Sequence, residues 1–189
     1  DIGLMKMLPN MTVVVPCDYN QTKAATIAIA EHKGPVYLRF GRPAVPNFTD
    51  PNQKFEIGKA ELLYEGSDVT ILATGHLVWK AIEACDILLQ KGIKAEVFNI
   101  HTIKPFDKET VLKSIKKTKA MVCAEEHMLN GGLTDTAAQM AALNFPIPIE
   151  AVAINDTFGE SGTPDQLMEK YGLTTNNIVQ AVEKVLKRK

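Results

Sequence analysis

The stretch VTILATGHLVWKAIEACDILLQKGIKAEVFNI, residues 69–100, predicts a strand, a helix and a second strand in that order. Its first six residues form a continuous apolar and β-branched run, which is typical of a strand covered by helices on both faces. The helix that follows ends at Gly92 and carries apolar residues at helical spacing along one stripe: Val78, Ile82, Cys85 and Leu89. With the strand at 95–100, the stretch is a βαβ unit, in which a right-handed crossover joins two parallel strands.

The same order of elements continues toward the carboxyl end. Further strands are predicted at 120–124 and 149–154, and further helices at 107–118 with Asp107 as N-cap, at 131–144, from Thr163 and Pro164 onward, and at 176–187. Four strands with a helix between each pair predict an α/β fold with a three-layer, doubly wound and mostly parallel sheet. We assign this domain to residues 55–189.

A shorter unit of the same kind precedes it. The run TVVVP (12–16) predicts a strand, and the helix at 20–34 has Asn20 as its expected N-cap and Gly34 as its terminator. That helix carries small or apolar residues suited to packing on a sheet: Ala24, Ala25, Ile27, Ala28 and Ala30. A third element, a short buried strand at 36–40, completes this βαβ unit.

The two units are joined by RPAVPNFTDPN (42–52), which has three prolines and no periodicity and is therefore the predicted linker. Residues 1–50, with the linker, are predicted to be the remnant of a second α/β domain. Two strands are too few for a stable sheet. We therefore expect this part of the chain to depend on partners, and residues 55–189 to fold independently.

Composition excludes several classes of partner. The 189 residues are 46% hydrophobic and 23% charged with a net charge of -1, which gives no electrostatic reason to expect nucleic acid or an anionic membrane. No apolar run reaches the length of a membrane span, and no signal peptide is visible. The three cysteines and four histidines lack the spacing of a disulfide framework or a metal site. A reducing, cytoplasmic location is expected. The first residue is Asp1 rather than Met, which points to a fragment, a cleaved product or an incompletely described chain.

Three loops at the ends of elements are candidate sites. The loop TGH (74–76) lacks the glycine pattern of a dinucleotide site, and GESG (159–162) is interpreted as a structural turn. The segment EEHMLNGGL (125–133) follows a strand and precedes a helix. It is either a structural or interface loop, or a site in which Glu126 or His127 acts as acid or base, although no partner group for either is evident.

Arg42 is the strongest single candidate. It lies just past the carboxyl end of a predicted strand, the edge at which open α/β sheets bind ligands. Its guanidinium can bind phosphate or carboxylate oxygens bidentately. The position of Arg42 in the sequence supports anion binding and a surface salt bridge equally. Arg39 lies three residues earlier, within the strand, and is the internal control: its replacement is expected to affect ligands with and without a phosphate alike.

Six segments, taken in order, resemble the carboxyl part of transketolase, in particular the carboxyl-terminal polypeptide of the split transketolases. They are DIGLMKMLPNMTVVVPCD, GPVYLRFGRPAVP, FEIGKAELLYEGSDVTILATG, VFNIHTIKPFD, VCAEEHMLNGGL and DTFGESGTPDQLMEKYGLT. The first two resemble the end of the pyrimidine-binding domain, and the others resemble the carboxyl-terminal domain. Deoxyxylulose-phosphate synthase and the β chain of 2-oxoacid dehydrogenases share parts of this pattern.

The resemblance implies a transferase of the pentose phosphate pathway that moves a two-carbon ketol unit between sugar phosphates. It implies thiamin diphosphate with Mg²⁺ or Ca²⁺ as cofactor, which serves as the electron sink for the carbanion. Arg42 matches the arginine that contacts the substrate phosphate. The residues that activate the cofactor, and those that hold its diphosphate and metal, match nothing in this chain. No catalytic, cofactor-binding or metal-binding residue is therefore named, and the chain alone is expected to be inactive.

The resemblance also implies two kinds of partner: an amino-terminal transketolase section, and a second copy in a homodimer formed through the α/β domains. The alternatives are a related thiamin enzyme and a binding or assembly module without chemistry. The preferred sugar, the oligomeric state and the roles of Glu125, Glu126 and His127 are left open.

Overall fold

The computed structural model describes all residues from Asp1 to Lys189. The strands are β1 (Thr12–Val14), β2 (Val36–Leu38), β3 (Glu61–Tyr64), β4 (Val69–Ala73), β5 (Ala95–Asn99), β6 (Thr102–Lys104), β7 (Met121–Met128) and β8 (Ile149–Ile154). The helices are α1 (Ile2–Met7), α2 (Tyr19–Glu31), α3 (Leu77–Gln90), α4 (Lys108–Thr118), α5 (Leu133–Asn144), α6 (Pro164–Lys170) and α7 (Thr175–Leu186). None of the helices combines the length and apolar character that a membrane crossing requires.

Five strands form the larger sheet in the order β3-β5-β4-β7-β8. The four predicted strands are all present, and β5, β4, β7 and β8 run parallel, which confirms the α/β, mostly parallel fold. The prediction missed β3, which pairs antiparallel with β5 at the edge of the sheet. This strand has only four residues, ELLY, and its side chains alternate between half-buried and exposed, so its apolar run is shorter than those of the central strands.

Helices cover both faces of this sheet and complete the three layers. On one face, α3 and α7 enclose a core with β4, β5 and β7, and on the other face α4 and α5 enclose a second core. Of the predicted stripe of α3, Val78 and Cys85 are buried and Ile82 packs against the core, but Leu89 is 60% exposed, while its neighbour Leu88 is fully buried. The buried stripe includes Ala81 and Ala84, whose small side chains let the helix approach the sheet closely.

The smaller sheet has the order β2-β1-β6. The parallel pairing of β1 with β2 confirms the amino-terminal βαβ unit. Residues 1–50 contribute two strands, as predicted, but the sheet has three, because β6 from the second half of the chain pairs antiparallel with β1. The two parts also share one core, in which Ile2 and Val13 pack with Leu72 and Phe98. This sharing places the ends of β2, β4 and β7 near one another.

Local details of the amino-terminal unit also differ from the predictions. The N-cap of α2 is Asp18 rather than Asn20, and the helix ends at Glu31, before Gly34. A carboxylate two residues earlier captures the helix start because it accepts the backbone N–H of Gln21 over 2.8 Å. On the predicted small-residue face, Ala25 is buried but Ile27 is exposed.

A candidate anion-binding cleft

Arg42 lines a cleft of about 1210 Å³. The cleft lies between the segment 42–46, the outer residues of α3, and the segment 159–176. The Arg42 side chain is exposed, and the ion pairs of the protein include Arg39 and Arg188 but not Arg42. Its interpretation as a surface salt bridge is therefore not met within this chain, since the Arg42 side chain lines the cleft without a hydrogen bond or an ion pair to the protein.

The base of the cleft is the point at which the strand order of the large sheet reverses. From β4, the chain passes through α3 to β5 on one side, and it then returns through α4 on the opposite face to β7 on the other side. The carboxyl ends of β4 and β7 therefore border a crevice of the kind that receives ligands in open α/β sheets. His76 follows β4, and Glu126 lies near the end of β7.

This crevice contains the end of the β2 segment. Arg39 Nη2 donates a hydrogen bond to the Glu126 backbone carbonyl oxygen over 3.0 Å, and Nη1 lies 3.4 Å from the Glu126 carboxylate. His76 Nδ1 lies 3.3 Å from the same carboxylate oxygen. The sequence offered no partner for Glu126, and the structure provides two. The available signal was partial: His76 and Glu126 belong to parallel strands of one sheet, whose carboxyl ends meet at one edge, whereas Arg39 follows a strand of the other sheet.

Gly41 crosses the face of the His76 ring. A Cβ atom built on Gly41 would come within 2.2 Å of His76 Cε1, a distance that no real contact reaches. Only glycine therefore allows the chain to pass this ring without displacing it. His76 also borders a second cavity of about 420 Å³ on the other side of the segment, together with Cys17, Asp18 and Phe40. Phe40 is 59% exposed rather than buried as predicted, since β2 ends two residues before it.

The three titratable residues of the segment EEHMLNGGL, which are Glu125, Glu126 and His127, have different surroundings in the structure. Glu125 is fully buried and accepts hydrogen bonds from the backbone N–H groups of Leu133 and Thr134, over 2.6 and 2.8 Å. The amino terminus of α5 is thus occupied by a carboxylate of the chain itself and is not free to bind an anion. Burial lowers the pKa of His127, whose Nδ1 lies 2.8 Å from the Met128 carbonyl oxygen.

The GESG and TGH loops have structural roles. In the GESG loop, the Glu160 carboxylate accepts a hydrogen bond from the Tyr171 hydroxyl over 3.0 Å and pairs with Lys170 over 2.6 Å. The TGH loop contains Gly75 with φ +55°, which turns the chain from β4 into α3 and brings His76 to the crevice.

The chain has no cluster of metal ligands, and its Cys17 thiol is not activated as a nucleophile. No three His, Cys, Asp or Glu side chains come together in a group that could hold a metal ion. Burial, with help from Asp18 and Glu61, raises the pKa of Cys17 far above its usual range, so its thiol stays protonated and unreactive. The basic and acidic side chains that line the cleft are the free Arg42, Lys80, His76 and six carboxylates: Glu83, Asp86, Glu126, Glu160, Asp165 and Glu169.

Comparison with known proteins identifies the relatives of this architecture. Residues 58–178 match the family described as "Transketolase, C-terminal domain", and residues 1–47 match "Transketolase, pyrimidine binding domain". A 6-deoxy-6-sulfo-D-fructose transketolase subunit of Clostridium sp. (strain MSTE9) is 47% identical over the whole chain. A 1-deoxy-D-xylulose-5-phosphate synthase of Pelotomaculum thermopropionicum is 32% identical over 96% of the chain.

A solved structure described as "Split gene transketolase, inactive beta4 tetramer" superposes with a TM-score of 0.96 at 46% identity over 98% of this chain. The chain spans 61% of that protein, 59% of the Clostridium subunit and 29% of the synthase.

Proposed function

Because the chain belongs to the transketolase family, we propose that it is the carboxyl-terminal part of a thiamin-diphosphate-dependent transketolase. The complete enzyme transfers a two-carbon ketol unit between sugar phosphates. The observation that carries the proposal is the position of Arg42, which lies free of protein partners in a cleft at the strand ends. The wider family context supports a transferase, and the arginine supports an anionic substrate.

Arg42 binds the anionic end of the sugar in this proposal. Its planar guanidinium can donate two parallel hydrogen bonds to phosphate oxygens. Glu126, the carboxylate of the cleft that lies on a strand of the large sheet, is 3.4 Å from Arg39 and 3.3 Å from His76. Because that negative charge already faces a cation and an imidazole, it opposes an incoming anion less than a free carboxylate would.

The same chemistry extends beyond phosphate. The Clostridium relative is named for 6-deoxy-6-sulfo-D-fructose, a sugar with a terminal sulfonate. Sulfonate and phosphate both present several anionic oxygens on a tetrahedral centre, so the guanidinium fork fits either. We propose an anionic sugar as the substrate class, and a comparison of 6-phospho and 6-sulfo sugars as donors separates the two members.

The cofactor and its metal do not fit the residues present in this chain, which has no cluster of metal-binding side chains. In the proposal they are bound by an amino-terminal section of the enzyme. This chain would bind and orient the substrate's charged end and provide surfaces for assembly. The name "subunit" of the Clostridium relative and the tetramer of the solved structure support an assembly with a second polypeptide and with further copies, which we propose includes a homodimer.

The test is Arg42→Ala in the enzyme reconstituted with its amino-terminal section. Loss of a charge-assisted contact of about 1.5–3 kcal/mol corresponds to a loss of about ten- to a hundredfold in kcat/KM. We expect this loss with phosphorylated acceptors and a loss at least tenfold smaller with glycolaldehyde, which has no anionic end. Equal losses with both acceptors would overturn the proposal.

The control for this experiment is a cation in the same cleft. Arg39 does not serve, because it contacts Glu126 and is not neutral to the site. Lys80 lines the cleft but pairs with Glu83 over 3.3 Å. Lys80→Ala is expected to change both acceptors equally.

The match to deoxyxylulose-phosphate synthases supports a second candidate reaction within the same family. Such an enzyme releases CO₂ from a 2-oxoacid donor, whereas a transketolase takes its two-carbon unit from a ketose. Release of CO₂ from pyruvate by the reconstituted enzyme would favour this second candidate over ketol transfer.

A further inference from the structure

The crevice between β4 and β7 is filled by the chain itself. In other folds of this type it receives a small ligand, but here it receives the segment Arg39 to Gly41, which immediately precedes Arg42. The large sheet therefore touches this segment at the two positions one and three residues before the free arginine.

Glu126 is the centre of these contacts. Its carboxylate lies 3.4 Å from Arg39 Nη1 and 3.3 Å from His76 Nδ1, and its backbone carbonyl oxygen accepts from Arg39 Nη2 over 3.0 Å. Arg39 and Glu126 are separated by 87 residues in sequence, so the contact joins the smaller sheet to the larger one. The Arg39 side chain is 20% exposed and that of Glu126 30% exposed, which limits screening by solvent.

His76 is the second residue in contact with the Glu126 carboxylate. Its side chain is 13% exposed, and its ring lies against Gly41 so closely that no Cβ atom fits between them. The position of the ring is defined at Nδ1 by Glu126 and at Cε1 by Gly41. Arg39, Gly41 and the two residues from the strand ends thus form one packed unit, which we call the 39–41 brace (Arg39, Gly41, His76 and Glu126).

Arg42 has no contact of this kind. Its side chain is exposed and in no ion pair, so the place of its guanidinium depends on where the backbone at residue 41 delivers it. We propose that Glu126 and His76 are positioning residues of the anion site, which hold residues 39–41 in the crevice so that Arg42 points into the cleft. This inference rests on the proposed role of Arg42 in binding the substrate anion.

In this inference the 39–41 brace affects binding of the anion only through Arg42. Its role can therefore be tested by comparing single variants with the double variant. If Glu126 only stabilised the fold, its replacement would affect all substrates alike and would add to the effect of Arg42→Ala. If it positions Arg42, its effect requires the arginine to be present. Contacts that act through one another give such non-additive effects, whereas independent sites add.

The experiment uses the enzyme reconstituted with its amino-terminal section and compares Glu126→Gln, Arg42→Ala and the double variant. We expect Glu126→Gln to lower kcat/KM about three- to tenfold more for a phosphorylated acceptor than for glycolaldehyde, because a misplaced binding group of this kind costs up to about a hundredfold. In the Arg42→Ala background, the difference between acceptors caused by Glu126→Gln should disappear.

Two further variants keep the result interpretable if Glu126→Gln folds poorly. Gly41→Ala changes no charge and must displace the His76 ring, so it should reproduce the selective loss. Glu150→Gln is the matched control. Glu150 lies on β8, its carboxylate is 13% exposed and pairs with two cations, Lys184 and Arg188. Its replacement should lower stability without changing the preference between acceptors.

The outcomes separate the inference from the proposed function. If Arg42→Ala affects both acceptors equally, the proposed function fails, and the inference that depends on it fails as well. Arg42→Ala could lower kcat/KM selectively for the phosphorylated acceptor while Glu126→Gln and Gly41→Ala affect both acceptors equally, or while their effects add to that of Arg42→Ala. In that case only the inference is overturned. Selective and non-additive losses support both.

Discussion

The Asp18 carboxylate holds Thr49 through two hydrogen bonds, from the Thr49 backbone N–H over 2.8 Å and from its hydroxyl over 2.7 Å. The same carboxylate accepts the N–H of Phe48 over 2.9 Å and caps α2. The linker predicted at 42–52 is therefore irregular but fixed at one point. Since Asp18 is 3% exposed, these bonds are shielded from water.

Limited proteolysis should first cut the chain between Pro43 and Pro51, because this segment contains exposed residues outside any regular element. Asp18→Asn should raise the cleavage rate about tenfold or more, since an amide loses charge-assisted bonds of about 1.5–3 kcal/mol that hold the linker closed. Asp50→Asn, an exposed change in the linker itself, is the control. First cuts within 69–154 would contradict the domain boundary that we predict.

The isolated chain should bind no thiamin diphosphate. It has no metal-binding cluster, and the diphosphate carries negative charge that needs a cation beside it. Calorimetry of the chain with thiamin diphosphate and Mg²⁺ should show no saturable heat, while the complex with the amino-terminal section should show it. A micromolar isotherm with the chain alone would refute this prediction, as would ketol transfer by the chain alone.

Replacement of Glu125 should destabilise the protein. In Glu125→Gln, the amide nitrogen would place a donor against one of the two N–H groups, that of Leu133 or that of Thr134, which now bond to separate carboxylate oxygens. We expect a loss of about 1.5–3 kcal/mol in the free energy of unfolding, measured by urea denaturation. Glu109→Gln, in the exposed first turn of α4, should change it by less than about 0.5 kcal/mol. Equal effects would show that the Glu125 contacts are not stabilising.

Stability should fall in mild acid because of His101. Burial lowers the pKa of this residue to about 4 in the folded chain, from 6.5. The unfolded chain therefore binds more protons between these values. The stabilisation is complete above pH 6.5 and is lost as the pH falls toward 4, by on the order of 3 kcal/mol. The lowered pKa of His127 adds in the same direction.

His101→Gln tests this assignment, because Gln can still hydrogen-bond to the Thr102 hydroxyl, which lies 3.0 Å from His101 Nδ1. Urea denaturation at pH 7 and pH 4.5 should show a smaller pH dependence for the variant than for the original chain. His32→Gln controls for the loss of a histidine elsewhere. An unchanged pH dependence in His101→Gln would assign the effect to other groups.

The elements that follow from local patterns could be predicted from the chain alone. The four parallel strands and the helices between them appear as predicted, and the apolar residues that recur at helical spacing in α7, Ile178, Val182 and Val185, are buried. Each depends on apolar residues recurring at the period of its own helix or strand, which is a local property. The placement of Arg42 after a strand is of the same kind.

Other features required the assembled fold. The strands β3 and β6 are only four and three residues long, and each becomes a strand because a neighbour presents unpaired backbone groups to it. The contact of Arg39 and His76 with Glu126 joins the ends of three strands that are distant in sequence. Which strand ends become neighbours is set by the direction of each crossover and the packing of two sheets on a shared core. The periodicity of apolar residues within a segment carries no information about the direction of a crossover or the packing of two sheets. Arg42 could therefore be identified from the sequence, whereas the 39–41 brace that precedes it could not.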